Sequence, residues 1–334
     1  MIDRILLDHG GGGRLSHRLI REEILPRFAC AALNGLPDAA TLDPGGLRML
    51  FSTDSFVVQP LFFPGGCIGD LAVFGTVNDL AVAGSRPRWL SLGMILEEGL
   101  PLAILRRVLD AVQLAASRCD LQVVTGDTKV VRRGQCDGMY LNTAGIGQAL
   151  PGFALGPERL RPGDRVLVSG PLGDHGLAVL AAREGLGLAN GPVSDTRPLH
   201  RLVLALGELA PGVRFMRDPT RGGLAAVLNE MVEERAVGVM IEERRLPFSP
   251  ATRALAELTG LDLLHVASEG CLVLVCAPEL APAILERWRP LPEGAQACVI
   301  GQVAEDASLV VLETAIGGRR VVDAPQGELL PRIC

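Results

Sequence analysis

The chain has 334 residues, 48% hydrophobic and only 4% aromatic, which is enough apolar surface for two ordinary cores. Its 32 basic residues against 38 acidic ones leave a net charge of −6, and the arginines are scattered, which argues against nucleic acid as a partner. No apolar run reaches the roughly 18 residues of a membrane-spanning helix.

The opening "MIDRILLDHGGGG" lacks the basic and apolar regions of an export signal. Eight cysteines occur with no C-x-x-C and no structural-zinc spacing, so a reducing, cytoplasmic compartment is expected. Cys271 and Cys276 in "CLVLVC" read as small core residues on opposite faces of a strand.

"SHRLIREEILPRF" (residues 16–28) has apolar residues at helical spacing behind a capping serine. "LRMLFSTDSFVV" reads as a strand interrupted at Thr53-Asp54-Ser55, and "GCIGDLAVFGTVNDLAVAG" as a helix carrying Asn78 and Asp79. A strand "LSLGMILEE", an amphipathic helix "PLAILRRVLDAVQLAASRC" and strands "LQVVTGDTKVV" and "GMYLNTAGIG" complete a first α/β unit, residues 1–150. Past the Pro/Gly-rich bridge "GQALPGFALGPERLRPGD" the pattern restarts. It runs through "RVLVSG", three helical segments ("DHGLAVLAARE", "RPLHRLVLALGEL", "GLAAVLNEMVEERA") and strands "GVMIEE", "CLVLVC" and "ASLVVLE". The rhythm is not strictly βαβ, so a mixed α/β (α+β) sandwich is expected rather than a doubly wound sheet. Residues 151–323 form the second unit, and residues 324–334 read as a mobile tail.

Four segments set an aspartate beside small residues: "STDS" (Asp54), "TVNDLAVAG" (Asp79), "TGDTK" (Asp127, Thr128) and "RDPTRGG" (Asp218). Magnesium prefers oxygen ligands, typically one or two carboxylates with phosphates and waters, so Asp54, Asp79, Asp127 and Asp218 are candidates for a metal–nucleotide site. Singly, each also suits a turn or a cap. "HGGGGR", with Gly11 and Gly12, reads equally as a phosphate cradle before a helix or as a flexible linker, and it fits neither nucleotide-loop consensus. In "DPTRGGL", Gly222 and Gly223 open a helix beside Arg221, which can neutralise phosphate.

Lysine occurs once, as Lys129 beside Asp127. A lysine can act as a base when desolvated and an arginine cannot, so this position suggests a role that arginine does not fill. Cys334 closes "LPRIC", where an exposed thiol is a liability unless used, and it does not stand four residues from the end as prenylation requires. A thiol on a flexible arm suits a group loaded by one protein, processed in a pocket and delivered to another.

Together "HGGGG", "TDSFVVQPLFFPGGCIGDLAVFGTVNDLAVAG", "VVTGDTKVV", "GDHG", "MRDPTRGGLAAVLNE" and "LPRIC" resemble the HypE family of hydrogenase maturation factors almost end to end. That family is similar to aminoimidazole ribonucleotide synthetase, selenophosphate synthetase and thiamine-monophosphate kinase. The resemblance implies their two-domain fold, with N-terminal domains pairing across a homodimer. It further implies that Cys334 takes a carbamoyl group from the carbamoyltransferase HypF. ATP and Mg²⁺ then drive its dehydration to a thiocyanate, and the cyano group passes to iron on HypC–HypD. Lys129 contacts phosphate or accepts a proton in this scheme. Glu269 falls at the family's Asn-Glu-Gly glutamate and is nominated as a second proton acceptor. Two departures stand beside it: Ser268 replaces that Asn, and Cys271 replaces the Lys after Gly270. The competing readings are ATP-dependent activation of a free small amide, which needs no thiol, and a non-catalytic cysteine carrier.

Overall fold

The structure, a computed structural model, describes residues 14–19, 21–22, 39–42, 45–305, 308–327, 330 and 332–334. Helix α1 spans Arg14–Leu19; the rest of the helix expected to residue 28 falls almost entirely outside the described residues, as do Gly11 and Gly12. Strands β1 (Ala40–Leu42), β2 (Met49–Phe56), β3 (Phe62–Phe63) and β4 (Gly66–Cys67) lead into helix α2 (Ile68–Val82). Then come β5 (Ser85–Glu97), helix α3 (Leu102–Arg118), β6 (Gln122–Val131) and β7 (Met139–Ala149). The first sheet has the order β1-β2-β7-β5-β6, antiparallel except for the parallel pair β5 and β6.

The expected break at Thr53-Asp54-Ser55 does not occur: β2 pairs with β7 without a gap from Met49 to Phe56. Thr53 and Ser55 face outward while Ser52 and Phe56 are buried, so polar residues at alternate positions are compatible with a sheet that has one open face. The closed face packs on α2, whose apolar and small residues are buried nearly all round. Thr143 of β7 donates to the Ala72 carbonyl at 2.9 Å and lies 2.6 Å from the Thr76 hydroxyl, which satisfies these polar groups inside the layer. On the open side Phe51, Trp89 and Ile95 are exposed, and Val124 and Val130 are exposed along the edge strand β6.

The second unit adds β8 (Arg165–Val168), helices α4 (Asp174–Arg183) and α5 (His200–Leu206), β9 (Val213–Arg217), α6 (Gly223–Val232) and β10 (Gly238–Glu242). Helix α7 (Pro250–Thr259), β11 (Val273–Cys276), α8 (Ala281–Trp288), β12 (Cys298–Ala304), β13 (Val310–Glu313) and β14 (Arg319–Val321) complete it. Their sheet has the order β14-β13-β10-β12-β8-β11-β9, with β10 and β13 its one parallel pair among the described strands. Two-residue alternation feeds two cores. Val166, Val168, Val273 and Val275 pack toward α6, while Leu167, Leu274 and Cys276 pack toward α5 and α8. Cys271 belongs to the first of these cores and Cys276 to the second, so the two thiols do face opposite ways.

The two units share packing. Ala81 and Val82, closing α2, join the second unit's core, and Leu177, Val266, Leu330 and Ile333 join the first unit's. Residues 332–334 of the tail make backbone contacts with the first unit. Val57 N–H donates to the Cys334 carbonyl at 3.1 Å and Gln59 N–H to the Arg332 carbonyl at 3.2 Å, the spacing of an antiparallel pair. No helix among the described residues is long and apolar enough to cross a membrane.

Candidate active site

β2 runs alongside α2, and this seam carries two of the candidate aspartates. Asp79 accepts from Ser52 Oγ at 2.7 Å. Asp54 is half-buried, accepts from Ser55 N–H at 2.8 Å and stands over Gly75, where an added Cβ would lie 3.7 Å from Oδ2. Burial pushes the Asp54 carboxyl up, and the Arg221 charge partly offsets this, which places the "DPTRGG" loop within electrostatic reach of β2.

That loop follows β9 and opens α6. Asp218 is buried. Gly223 has φ +61°, and a Cβ there would come within 2.7 Å of the Leu264 and Val266 carbonyl oxygens, so only glycine lets α6 start so close to this backbone. Pro219, which follows Asp218, accepts the Ser268 amide at its carbonyl at 2.9 Å, which ties the loop to the segment carrying Glu269.

Glu269 is buried and its Oε1 has no hydrogen-bond partner. Burial raises its carboxyl well above the ordinary range, and the charges of Asp218, Asp54 and Asp195 raise it further. Glu269 is thereby biased toward its protonated form and is coupled electrostatically to Asp54, Asp218 and Arg221, a cluster assembled from both units. Its backbone is held firmly: Asp195 accepts the amides of Glu269 and Gly270, both at 3.0 Å. Asn78, wholly buried on α2, donates to the carbonyls of Glu269 and Arg197 and accepts the Leu199 amide at 2.8 Å. Ser268 fills the departure seen in the sequence, accepting the Gly173 amide at 2.8 Å. The buried Cys271 thiol, pushed up to about 12 by burial, is an inert packing group.

Asp127, Thr128 and Lys129 are not brought to this cluster within one chain. In the cross-sheet register Asp127 stands opposite Gly93, Asn142 and Ser55, so three strand spacings of about 4.8 Å, roughly 14 Å in all, separate it from β2. Lys129 lies 3.6 Å from Asp127, and both side chains are exposed. Among the described residues no group of three or more His, Cys, Asp or Glu is placed to hold a metal ion. The donors at the seam instead suit an ion that takes one or two carboxylates and completes its shell with phosphate and water.

The sequence assigns no role to Asn78, Asp195 or His175, although Asn78 stands beside Asp79 and His175 lies within the "GDHG" segment. A cavity of about 480 Å³ lies elsewhere, between α1 and α6, lined in part by Arg14, His17, Glu230 and Pro325.

Residues 36–149 and 161–312 match the models of the AIR synthase related protein N-terminal and C-terminal domains. The chain is 48% identical to the carbamoyl dehydratase HypE of Rhodobacter capsulatus over 336 residues, which cover 99% of this chain and 98% of that protein. The chain belongs to the HypE family. Among solved structures, HypE in complex with ATP superposes with a TM-score of 0.83 at 46% identity, covering 99% of this chain and all of that one. HypE from a complex with HypF superposes with a TM-score of 0.87 at 41% identity, covering 92% of this chain and 99% of that one. These similarities agree with the mixed α/β, two-unit fold expected from the sequence.

Proposed function

We propose that the chain is an ATP-dependent carbamoyl dehydratase whose substrate group is carried on its own Cys334. The observation that carries this reading is the direction of the docked arm. Residues 332–334 pair antiparallel with residues 57–59, so the arm runs back along the continuation of β2 toward Asp54 and its cluster with Glu269. Three residues of strand, about 10 Å, separate Val57 from Asp54.

The chemistry balances as follows. The oxygen of an S–C(=O)NH₂ group on Cys334 attacks the γ-phosphorus of ATP, and the bond to ADP breaks. The C–O bond to the new phosphate then breaks while both nitrogen protons leave, giving S–C≡N, ADP and phosphate. Phosphorylation turns a poor leaving group into a good one, and alignment in a fixed pocket supplies much of the rate. Arg221 and the Gly222-Gly223 turn at the start of α6 face the phosphates. Magnesium would be held by Asp54 and Asp218, with Asp79 beside them, and would supply charge neutralisation for the phosphates. Once ionised, Glu269 is a strong base with no competing donor at Oε1, suited to take a nitrogen proton.

The open face of the first sheet and its edge strand β6 fit a homodimer. β6 is exposed along nearly its whole length and presents Val123, Val124 and Val130. Covering this face would bury Lys129, the condition under which a lysine serves as a base. A HypF-type carbamoyltransferase loads Cys334 in this scheme, and a HypC–HypD acceptor receives the cyano group. The setting for these steps is the cytoplasm.

The test is the mass of the C-terminal peptide after Cys334 is carbamoylated and Mg-ATP is added. Loss of one water that depends on ATP is expected, with none in Cys334→Ala. Confirmed loading and bound ATP without water loss would convert the reading to a carrier. Turnover of a small amide by Cys334→Ala would convert it to the free-substrate enzyme.

A further inference from the structure

We propose that His175 is a positioning residue that fixes the register of the Cys334 arm by donating from Nε2–H to the Ile333 carbonyl. The ring is wholly buried at the second residue of α4, and both nitrogens are used. Nε2 lies 2.6 Å from the Ile333 oxygen and Nδ1 2.8 Å from Ser194 Oγ. A carbonyl only accepts, so Nε2 carries the hydrogen and Nδ1 offers a lone pair to the Ser194 hydroxyl. The Thr196 hydroxyl lies 2.6 Å from Ser194 Oγ and 3.4 Å from Nδ1, and the Thr196 amide donates to Ser194 Oγ at 3.1 Å, so a hydroxyl hydrogen is at hand for the Nδ1 lone pair. The polarity across the ring, from a hydroxyl donor at Nδ1 to the Ile333 acceptor at Nε2, is thereby set. Burial pushes the His175 pKa down to about 4, which keeps the ring in the neutral form this arrangement needs.

The relay is rigid at both ends. The Ser194 amide donates to the Pro64 carbonyl at 2.8 Å, and the imidazole stands edge-on to Phe63, with centroids 5.3 Å apart. Successive carbonyls of the arm find donors on alternating sides. Arg332 is held by Gln59 N–H and by Arg183 at 2.6 Å, and Cys334 by Val57 N–H. Ile333, between them and buried, turns its oxygen the other way, to His175. Remove that donor and a buried carbonyl one residue from the thiol is left unpaired, which favours release of the arm. The catalytic consequence rests on the dehydratase reading; the docking itself does not.

The experiment compares full-length wild type with His175→Gln, His175→Asn and Ser194→Ala. Cys334 is alkylated with iodoacetamide and followed by the mass of the peptide of residues 329–334, released by cleavage after Glu328. ATP affinity and ATP-dependent water loss from carbamoylated Cys334 are measured in parallel. A glutamine amide reaches the Nε2 position and an asparagine amide only the Nδ1 position. Gln is therefore expected to stay close to wild type. Asn should alkylate roughly tenfold faster and dehydrate roughly tenfold slower with ATP affinity unchanged. Ser194→Ala, which keeps the ring but frees it to turn, is expected to fall between them. Equal alkylation in His175→Asn and wild type would overturn the proposal, as would His175→Gln behaving like His175→Asn. Wild-type protein that is loaded but loses no water would overturn the dehydratase reading alone, and the alkylation series would still decide His175.

Discussion

The carboxylate of Asp195 accepts the backbone amide of Glu269 at 3.0 Å, so the buried glutamate hangs from a second buried acid. The pair explains why Glu269 is oriented without a partner of its own. Its main chain is held by Asp195 and Asn78, which leaves the side chain to face Asp54, Asp218 and Arg221. Glu269→Gln should bind ATP normally and lose about 10²- to 10⁴-fold in single-turnover dehydration, the range for a general acid–base group. A loss below threefold would remove Glu269 from proton transfer.

Asp195 supplies a pH prediction. Burial raises its pKa from 3.8 to about 6, against the opposing amides of Glu269 and Gly270. The folded state therefore holds the proton more tightly than the unfolded chain. Stability from this group is full below pH 3.8 and is lost as pH rises through about 6. Asp195→Asn should flatten that slope in urea-unfolding curves taken across this window. It should also lower stability at each pH by leaving one of two buried amides poorly paired, at a cost of about 1–3 kcal/mol.

The attachment of α1 titrates as well. His17 Nε2 lies 3.1 Å from Glu230, with Glu233, Arg21 and, through Glu230, Arg217 around it. The hydrogen bond to Glu230 raises the His17 pKa above 6.5, with burial opposing. The contact is accordingly strongest below 6.5 and weakens as pH rises through the raised value. Hydrogen exchange of residues 14–19 should show this loosening, and His17→Gln should abolish its pH dependence.

At the edge strand, Val130→Asp should convert a dimer to a monomer by light scattering, since Val130 is 69% exposed on β6. A monomeric wild type would refute the pairing. Lys129→Arg keeps the charge but not the chemistry of an amine, so dehydration should fall more than nucleotide affinity.

Most of the fold was legible wherever one periodicity dominated. α2, α3 and the strands around Ile95 and Val275 follow directly from their apolar spacing. α7 was missed because it buries only Thr252, Leu255 and Ala256 and depends on the Ser249 cap, and β9 because arginines flank its apolar pair. α5 ends at Leu206, earlier than expected, where Gly207 takes φ +48°. The aspartates and Glu269 could be nominated from their small neighbours, but residue order along the chain does not disclose that Asp127 stands three strands from Asp54. Nor does it disclose that His175 and Ile333, 158 positions apart, are in contact. Such contacts depend on how the two units pack together.

The arm's pairing also makes chain length a measured quantity. Val57, Gln59 and His175 read three consecutive carbonyls in alternation, so one residue inserted or removed between Leu330 and Ile333 would shift the phase by half a strand period. His175 would then be offered a neighbouring carbonyl, and the thiol would turn to the opposite side. Two inserted residues restore the phase but carry the sulfur about 7 Å further along β2, so parity and reach together set where the thiol sits.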